Sequence, residues 1–409
     1  MTEILYLSYD GMTDPLGQSQ VIPYLAGLSK LGYHFHLISF EKSENFRKEH
    51  NHILELMRSH QIEWHPLTYT KKPPVISTMR DLSRMKKRSA EIIAKHDIQL
   101  VHCRSYISGL AGIALKEKFG IQFLFDMRGF WADERVEGGL WNLTNPMYKA
   151  VYKFFKNKEK EMFSKADAVV SLTENAKNII DSWNFRKPEQ LPISIIPCCA
   201  DLDHFNPGAV NQVDVEKMRH KLKIPVNIPV ISYLGAIGTW YMLDEMLDFF
   251  RIFIQKYPQA IFLFISHEPF HNITEKATRR GIPMENLRHL GARRTEVPVA
   301  LSLSDTALFF IRPTFSKKAS SPTKQGEIMG MGIPLICNTG IGDTDHVVER
   351  YGAGLTVDLT NKDAMQMAVD GYSALAAIPK ITIIKGAEDF FSLSSGVQKY
   401  AAIYSKLLN

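Results

Sequence analysis

The chain predicts an α/β protein built from two Rossmann-like, doubly wound parallel-sheet domains facing a central cleft. Three observations carry that expectation. The chain is 409 residues long, 45% hydrophobic and 22% charged, which suits two globular domains of about 200 residues each. Short apolar, β-prone segments alternate with helical ones, the pattern of right-handed βαβ units whose sheets are covered on both faces. That pattern also restarts halfway: after the turn-rich "ISIIPCCADLDHFNPG", a fresh strand "PVISYLG" opens a second series.

The elements follow in order. "ILYLSY" is a buried strand, followed by a loop, a helix from about Ser19 to Leu31 and Gly32 as its stop. "HFHLISF", a helix near 44–59, "IEWHPLTY", a basic helix near 75–96, "LVHCRS", another helix and "QFLFDM" continue the alternation. A long helix near 146–165 precedes "AVVSLT". In the second half the strands are "PVISYLG", "AIFLFIS", "RHLGA", "TALFFI" and "PLICN", with helices between them, and residues near 382–408 read as helical. The expected division is 1–200, 201–385 and a helical segment 386–409 packing back toward the N-terminal domain. Ligands of such sheets bind outside the carboxyl ends of the strands.

Composition narrows the partners. A net charge of +6 and a pI near 8.9 fit an anionic small ligand or a membrane surface, not a dedicated nucleic-acid binder with a strong basic stripe. The four cysteines, Cys103, Cys198, Cys199 and Cys337, form no CxxC pair and read as buried thiols in a reducing, cytoplasmic setting. Neither a signal peptide nor an apolar run of membrane-spanning length is expected. The basic segments "RDLSRMKKRSAEIIAKH" and "NPMYKAVYKFFKNKEKEMFSK" are either solvated helix faces or surfaces for anionic lipid at the inner membrane face.

Four stretches carry candidate chemistry. In "SSPTKQGEIMGMGIPLICN", Pro322 and Thr323 start a helix of two to three turns that Gly332 and Pro334 stop. Lys324 and Glu327 share a face of its N-terminal half, where the helix dipole and a lysine favour phosphate. Ser321 and Thr323 add hydroxyls there; the plain alternative is a capped surface helix with one ion pair. In "SYDGMTDPLGQSQVIPYL", Gly17 leaves room for an anionic ligand at a helix start, or the stretch is an ordinary βα loop. In "YLGAIGTWYML", Gly235 and Gly238 bracket a tight approach that can present backbone N–H groups to phosphate. Gly291, ending "RHLGA", with Arg293 and Arg294 after it, joins the same candidate nucleotide-sugar set. Finally, "FDMRGFWADERVEGGLW" mixes Asp126, Arg128, Asp133 and Glu134 with Trp131 and Trp141 just past a strand end. It reads as a sugar site or a salt-bridged surface loop. Asp126 and Arg128 lie nearest the strand end and are candidates for catalysis together with Lys324. Asp133, Glu134 and Trp131 are candidates for the acceptor. His102 and His289 read as core or wall residues. No metal site and no cofactor beyond the donor substrate are expected.

Taken together, these residues resemble bacterial glycosyltransferases of family 4, with the two-domain architecture called GT-B. The Gly-loop start, the "IIPCCADLDHFNP" joint, the "YLG" strand and above all "SPTKQGEIMGMGIPLI" carry the likeness, over nearly the whole chain. The resemblance implies that Glu327 binds the ribose hydroxyls of a nucleotide and that backbone amides around it hold the diphosphate. It implies a retaining, metal-independent transfer from a nucleotide sugar to a glycan or lipid-linked acceptor, in surface polysaccharide synthesis. Two positions depart from the family pattern. Ala319 stands where a second glutamate is usual, and the loop "AIGTWY" lacks the usual arginine and lysine, a charge that Lys324, Arg293, Arg294, Arg312, Lys317 or Lys318 must supply. A sugar-nucleotide epimerase of the same architecture and a degenerate sugar-nucleotide-binding protein are the alternatives.

Overall fold

The computed structural model describes residues 2–185 and 191–408. Two compact domains result, one of Met1–Pro197 with Leu393–Asn409 and one of Cys198–Ser392. In the first, the described strands are β1 (Thr2–Ser8), β2 (Tyr33–Glu41), β3 (Ile62–Thr68), β4 (Ile98–Arg104), β5 (Gln122–Asp126), β6 (Ala168–Ser171) and β7 (Ile193–Ile195). They form one parallel sheet in the order β3-β2-β1-β4-β5-β6-β7. In the second, β8 (Val230–Leu234), β9 (Ile261–Ile265), β10 (Leu287–Leu290), β11 (Thr306–Phe309), β12 (Leu335–Asn338) and β13 (Gly354–Val357) are parallel in the order β10-β9-β8-β11-β12-β13. Both sheets reverse direction of winding at a switch point, β1/β4 in one and β8/β11 in the other, the place where doubly wound sheets open a crevice for ligands.

Strands covered on both faces need apolar side chains at every position, and β8 and β9 are buried from end to end. Phe249, Phe250 and Phe253 of the helix Leu243–Lys256 and Phe262 and Phe264 of β9 fill the core between them. The helix expected from Ser19 to Leu31 is two helices, Pro15–Gln20 and Ile22–Ser29. Pro23 supplies no N–H to continue the first ladder, and each helix carries a proline in its first two positions. β7 and β13, three and four residues long, were not expected as strands.

The C-terminal helices divide between the domains. Lys380–Phe391 lies against Thr323–Gly330, and a Cβ on Gly326 would stand 2.8 Å from Phe391. Leu393–Leu408 belongs to the first domain, where Val397 fills the space left by Gly27 and Tyr400 and Tyr404 meet the rings of Tyr24 and Tyr33.

Candidate functional site

In the first domain, charge converges at the ends of β1, β4 and β5. Asp126 closes β5 and is buried. Its Oδ2 accepts a hydrogen bond from the Tyr400 hydroxyl at 3.0 Å and lies 3.5 Å from His102 Nε2, 3.8 Å from Arg128 and 4.0 Å from Arg104. Arg104 in turn reaches Asp10 at 3.2 Å. Burial works against the Asp126 charge, yet Arg128, His102 and Arg104 together hold its carboxyl below the usual range. Burial also pushes the His102 pKa down, leaving the ring neutral, with Nδ1 2.6 Å from the Tyr404 hydroxyl. His102 is thus a wall residue of this cluster. Asp126 Oδ1 has no hydrogen-bond partner among the described residues.

The backbone is bent to make this cluster. Ser105 after β4 and Arg128 after β5 both adopt left-handed conformations, φ 66° and 58°, and Gly129 follows at 126°. A non-glycine residue there costs roughly 1–2 kcal/mol. Two such residues side by side at adjacent strand ends turn the chain sharply and hold Arg128 over Asp126.

The stretch beyond is not an open loop. Trp131–Glu137 is a helix, and Asp133 faces inward from it. Both Asp133 oxygens are taken, one by the Tyr152 hydroxyl at 2.8 Å and the other by Lys156 at 3.0 Å. Lys156 also pairs with the buried Glu159, to which Tyr106 donates. Trp131 packs on Tyr106, Trp141 and Phe155, with Arg135 over its ring. Asp133, through both oxygens, and Trp131, through its ring, thus help to fix this helix on Pro146–Lys165. Glu134 lies half-buried on the same helix.

Gly17 packs against its own loop. A Cβ there would stand 2.3 Å from the Gly11 carbonyl, so its missing side chain admits the loop's own backbone. That loop is pinned by Glu41, a buried residue the sequence did not single out. Its carboxylate accepts from the Met12 and Thr13 amides at 2.8 and 3.0 Å and from the Thr13 and Ser39 hydroxyls at 2.6 Å each.

In the second domain the site centres on Lys324. The helix Thr323–Gly330 has Pro322 as its N-cap and no side-chain cap. Ser321, just before it, accepts the Cys198 amide at 3.1 Å, and Thr323 is half-buried. Lys324 turns inward. Its ammonium lies 3.7 Å from the Tyr241 ring centroid and 4.2 Å from that of Tyr233, and donates to the Tyr233 hydroxyl at 3.2 Å. No carboxylate lies within ion-pair distance of it among the described residues. Burial pushes its pKa down to about 7. Gly235, at φ 112° just past β8, is where the chain passes over this ammonium: a Cβ there would stand 3.1 Å from Nζ.

The loop that lacks its own cations therefore holds two brought from elsewhere. Lys324 sits on Tyr241, and Lys317, from the short 3-10 turn Ser316–Ala319, sits 3.8 Å over Trp240. Cation–π contacts of this kind offset part of the cost of burying an ammonium without neutralising it. Ala319, in place of the usual glutamate, is fully buried.

Glu327 does not pair with Lys324. It lies 3.4 Å from Arg294, whose guanidinium also rests over Phe205, and burial raises its pKa although Arg294 opposes that. Arg293 is exposed and its backbone N–H donates to Glu296; Gly291 leaves room beside His267; Gly238 faces open space. Arg312 is exposed, its amide bonded to the Trp240 carbonyl. A cavity of about 530 Å³ runs along this loop, between Gly238, Tyr241, Glu268 and Arg312.

Residues 17–204, a little under half of the chain, match the model of Glycosyltransferase Family 4. No curated protein matches. Solved structures share the whole architecture at low identity. A sucrose-phosphate synthase from Thermosynechococcus elongatus is 16% identical with a TM-score of 0.75, covering 100% of this chain and 99% of its own. A glycosyltransferase from Rickettsia africae is 17% identical with a TM-score of 0.73 and the same coverage. Anabaena HepE, solved with UDP-glucose, is 14% identical with a TM-score of 0.68, covering 99% of this chain and 100% of its own. The chain thus has the GT-B fold, and its residues 17–204 are similar to glycosyltransferase family 4.

Proposed function

We propose that this GT-B protein transfers a glycosyl group from a nucleoside diphosphate sugar to a glycan or lipid-linked saccharide. One observation carries the reading: the buried, anion-free ammonium of Lys324 at the β8/β11 switch point. A buried charge without a counterion is costly, and a bound diphosphate supplies the missing charge. In the reaction the bond from the anomeric carbon to the diphosphate oxygen breaks and a bond to the acceptor oxygen forms. The acceptor hydroxyl proton passes to the departing diphosphate oxygen, which takes the electron pair of the broken bond. Lys324, Lys317 and the start of Thr323–Gly330 stabilise that growing charge without calling on a metal ion. Glu327, one turn further along, accepts the ribose hydroxyls. Asp126 with Arg128 faces the donor sugar or the reacting hydroxyl, with retention of anomeric configuration.

The acceptor side has surface support. The helix Ile76–Ile93 exposes Ile76 and Met79 among basic residues, and Pro146–Lys165 exposes Met147 and Phe154 among lysines. Such faces suit peripheral contact with anionic lipid carrying the acceptor. No described helix is long and apolar enough to cross a membrane. A thermal-shift screen with UDP-, GDP-, ADP- and dTDP-sugars tests the reading, with UDP-glucose first because HepE was solved with it. One donor is expected to raise the unfolding midpoint in the wild type and not in Lys324→Met. Incubation of that donor with saccharide acceptors should then give a glycoside. Release of an epimer without acceptor, or no shift with any donor, overturns the proposal.

A further inference from the structure

The opposite end of the first sheet carries a cluster that the transfer reaction does not use. Glu3 of β1, His34 and His36 of β2, Glu63 and His65 of β3, and His96, three residues past the helix Ile76–Ile93, converge on one face. The register makes this unavoidable: Glu3 pairs with His34 and His36 with Glu63 across neighbouring parallel strands. His36 is fully buried between them. Its Nε2 lies 2.9 Å from Glu3 Oε2 and its Nδ1 lies 3.2 Å from Glu63 Oε2. The His96 ring stands 4.1 Å from the His36 ring and has no hydrogen-bond partner among the described residues. One ligand atom each from Glu3, His36 and His96 falls within 4.8 Å of the others.

We infer that Glu3, His36 and His96 form a divalent transition-metal site, best suited to Zn²⁺. Two imidazoles and a carboxylate are a zinc donor set, and bonds of about 2.0–2.1 Å place neighbouring ligand atoms about 3.3 Å apart in a tetrahedron. The observed 2.9 Å and the 4.8 Å envelope bracket that spacing with side-chain rotation alone. The surrounding groups are those that hold a metal-binding histidine in place. Glu63 accepts from the Nδ1 side of His36, which aims Nε2 at the metal, and His34 Nδ1 stands 2.8 Å from the same Glu3 oxygen and orients that carboxylate. A second grouping, His34, His36 and Glu63, shares His36 but would use the nitrogen on the other side of the ring. The free His96 ring favours the first. Glu3 lies five residues before the end of β1, about 16 Å from the carboxyl ends at 3.3 Å per residue. The metal therefore ties β1 and β2 to the chain entering β4 and takes no part in glycosyl transfer.

The test uses the full-length protein, stripped with chelator and dialysed against ZnCl₂. Metal content and unfolding midpoint are read for wild type, His96→Ala, Glu3→Gln and Glu63→Gln; these replace partly exposed residues, so folding is kept where His36→Ala would risk it. One zinc per chain, a raised midpoint, and loss of both in His96→Ala and Glu3→Gln are expected. Glu63→Gln should weaken binding by about 10–100-fold without abolishing it, the usual effect of removing an outer partner. No retained zinc, or zinc retained equally in His96→Ala, overturns the site. Zinc lost only in Glu63→Gln overturns the ligand assignment.

Discussion

Asp126 in the first domain and Lys324 in the second are both buried charges at the carboxyl ends of parallel sheets, yet their surroundings differ in kind. Asp126 is surrounded by Arg128, His102, Arg104 and Tyr400, all from its own domain, and its pKa is held down. Lys324 has aromatic rings and a phenol but, among the described residues, no carboxylate within ion-pair distance, and burial pushes its pKa down to about 7 although the more distant Glu327 opposes that. The first is an anion with its counter-charges built in. The second is a cation whose counter-charge must come from outside. A preassembled cluster positions a reacting group; an uncompensated one binds.

The comparison is broken most easily at Asp126. Asp126→Asn leaves Arg104 and Arg128 buried beside a neutral amide, and removing one partner of a buried pair costs about 3–5 kcal/mol. Chemical denaturation should show a loss of that size. Asp126 is not compensated from within if the variant is as stable as wild type.

The matching change at Lys324 should have the opposite sign. Lys324→Met removes a buried charge and keeps the packing against Tyr233 and Tyr241, so the unliganded protein gains stability. The lysine pKa is lower folded than unfolded, so the unfolded chain binds more protons between pH 7 and about 10.5. The penalty is fully present below pH 7 and fades as pH rises toward 10.5, so the gain in Lys324→Met shrinks over that range. Donor affinity should fall by about 10–100-fold, since charge-assisted contacts contribute roughly 1.5–3 kcal/mol. A variant that loses stability and keeps affinity reverses both halves of the argument.

Glu327→Gln separates binding from folding. Its partner Arg294 is 42% exposed and is left hydrated, so stability should change by no more than about 0.5 kcal/mol. Calorimetry with the donor should show about a tenfold loss. An unchanged affinity removes the ribose role and leaves Glu327 as Arg294's partner.

Titrating the wild type sharpens the contrast further. Binding of UDP-glucose, whose diphosphate has no proton to lose near neutrality, requires Lys324 to be protonated. Affinity should be level below pH 7 and fall by at most about tenfold per pH unit above it. Lys324→Arg, charged throughout, should flatten the profile.

Much of this was legible in the sequence because the signals are local. Apolar runs located eleven of the thirteen described strands, and the "SPTKQGE" segment located both Lys324 and Glu327 on one short helix. What stayed hidden depends on residues far apart in the chain. Lys324 and Glu327 sit three apart, but their partners are Tyr241 and Arg294. Glu41, just past the expected strand "HFHLISF", has nothing to single it out until Met12 and Thr13 fold onto it. Glu3, His36 and His96 come from three separate segments, so no ligand spacing announces them. The contacts of Asp133 and Trp131 stayed hidden because an isolated carboxylate and an aromatic look the same in sequence whether they face a sugar or a neighbouring helix.

That last ambiguity yields the smallest effect and the finest test. Asp133→Asn keeps an acceptor for the Tyr152 hydroxyl but removes a charge from Lys156, which retains Glu159 as partner. Burial holds the Glu159 pKa up while Lys156 pulls it down, so with Asp133 neutral the lysine serves Glu159 alone. The two changes partly cancel, and a loss of about 1 kcal/mol is expected, in the range for a partly exposed ion pair. Donor affinity and the acceptor Michaelis constant should both stay at wild-type values, because Asp133 has no free oxygen to offer a ligand. A raised acceptor Michaelis constant with unchanged stability returns Asp133 to the acceptor site and means that Tyr152 and Lys156 release it when the acceptor binds.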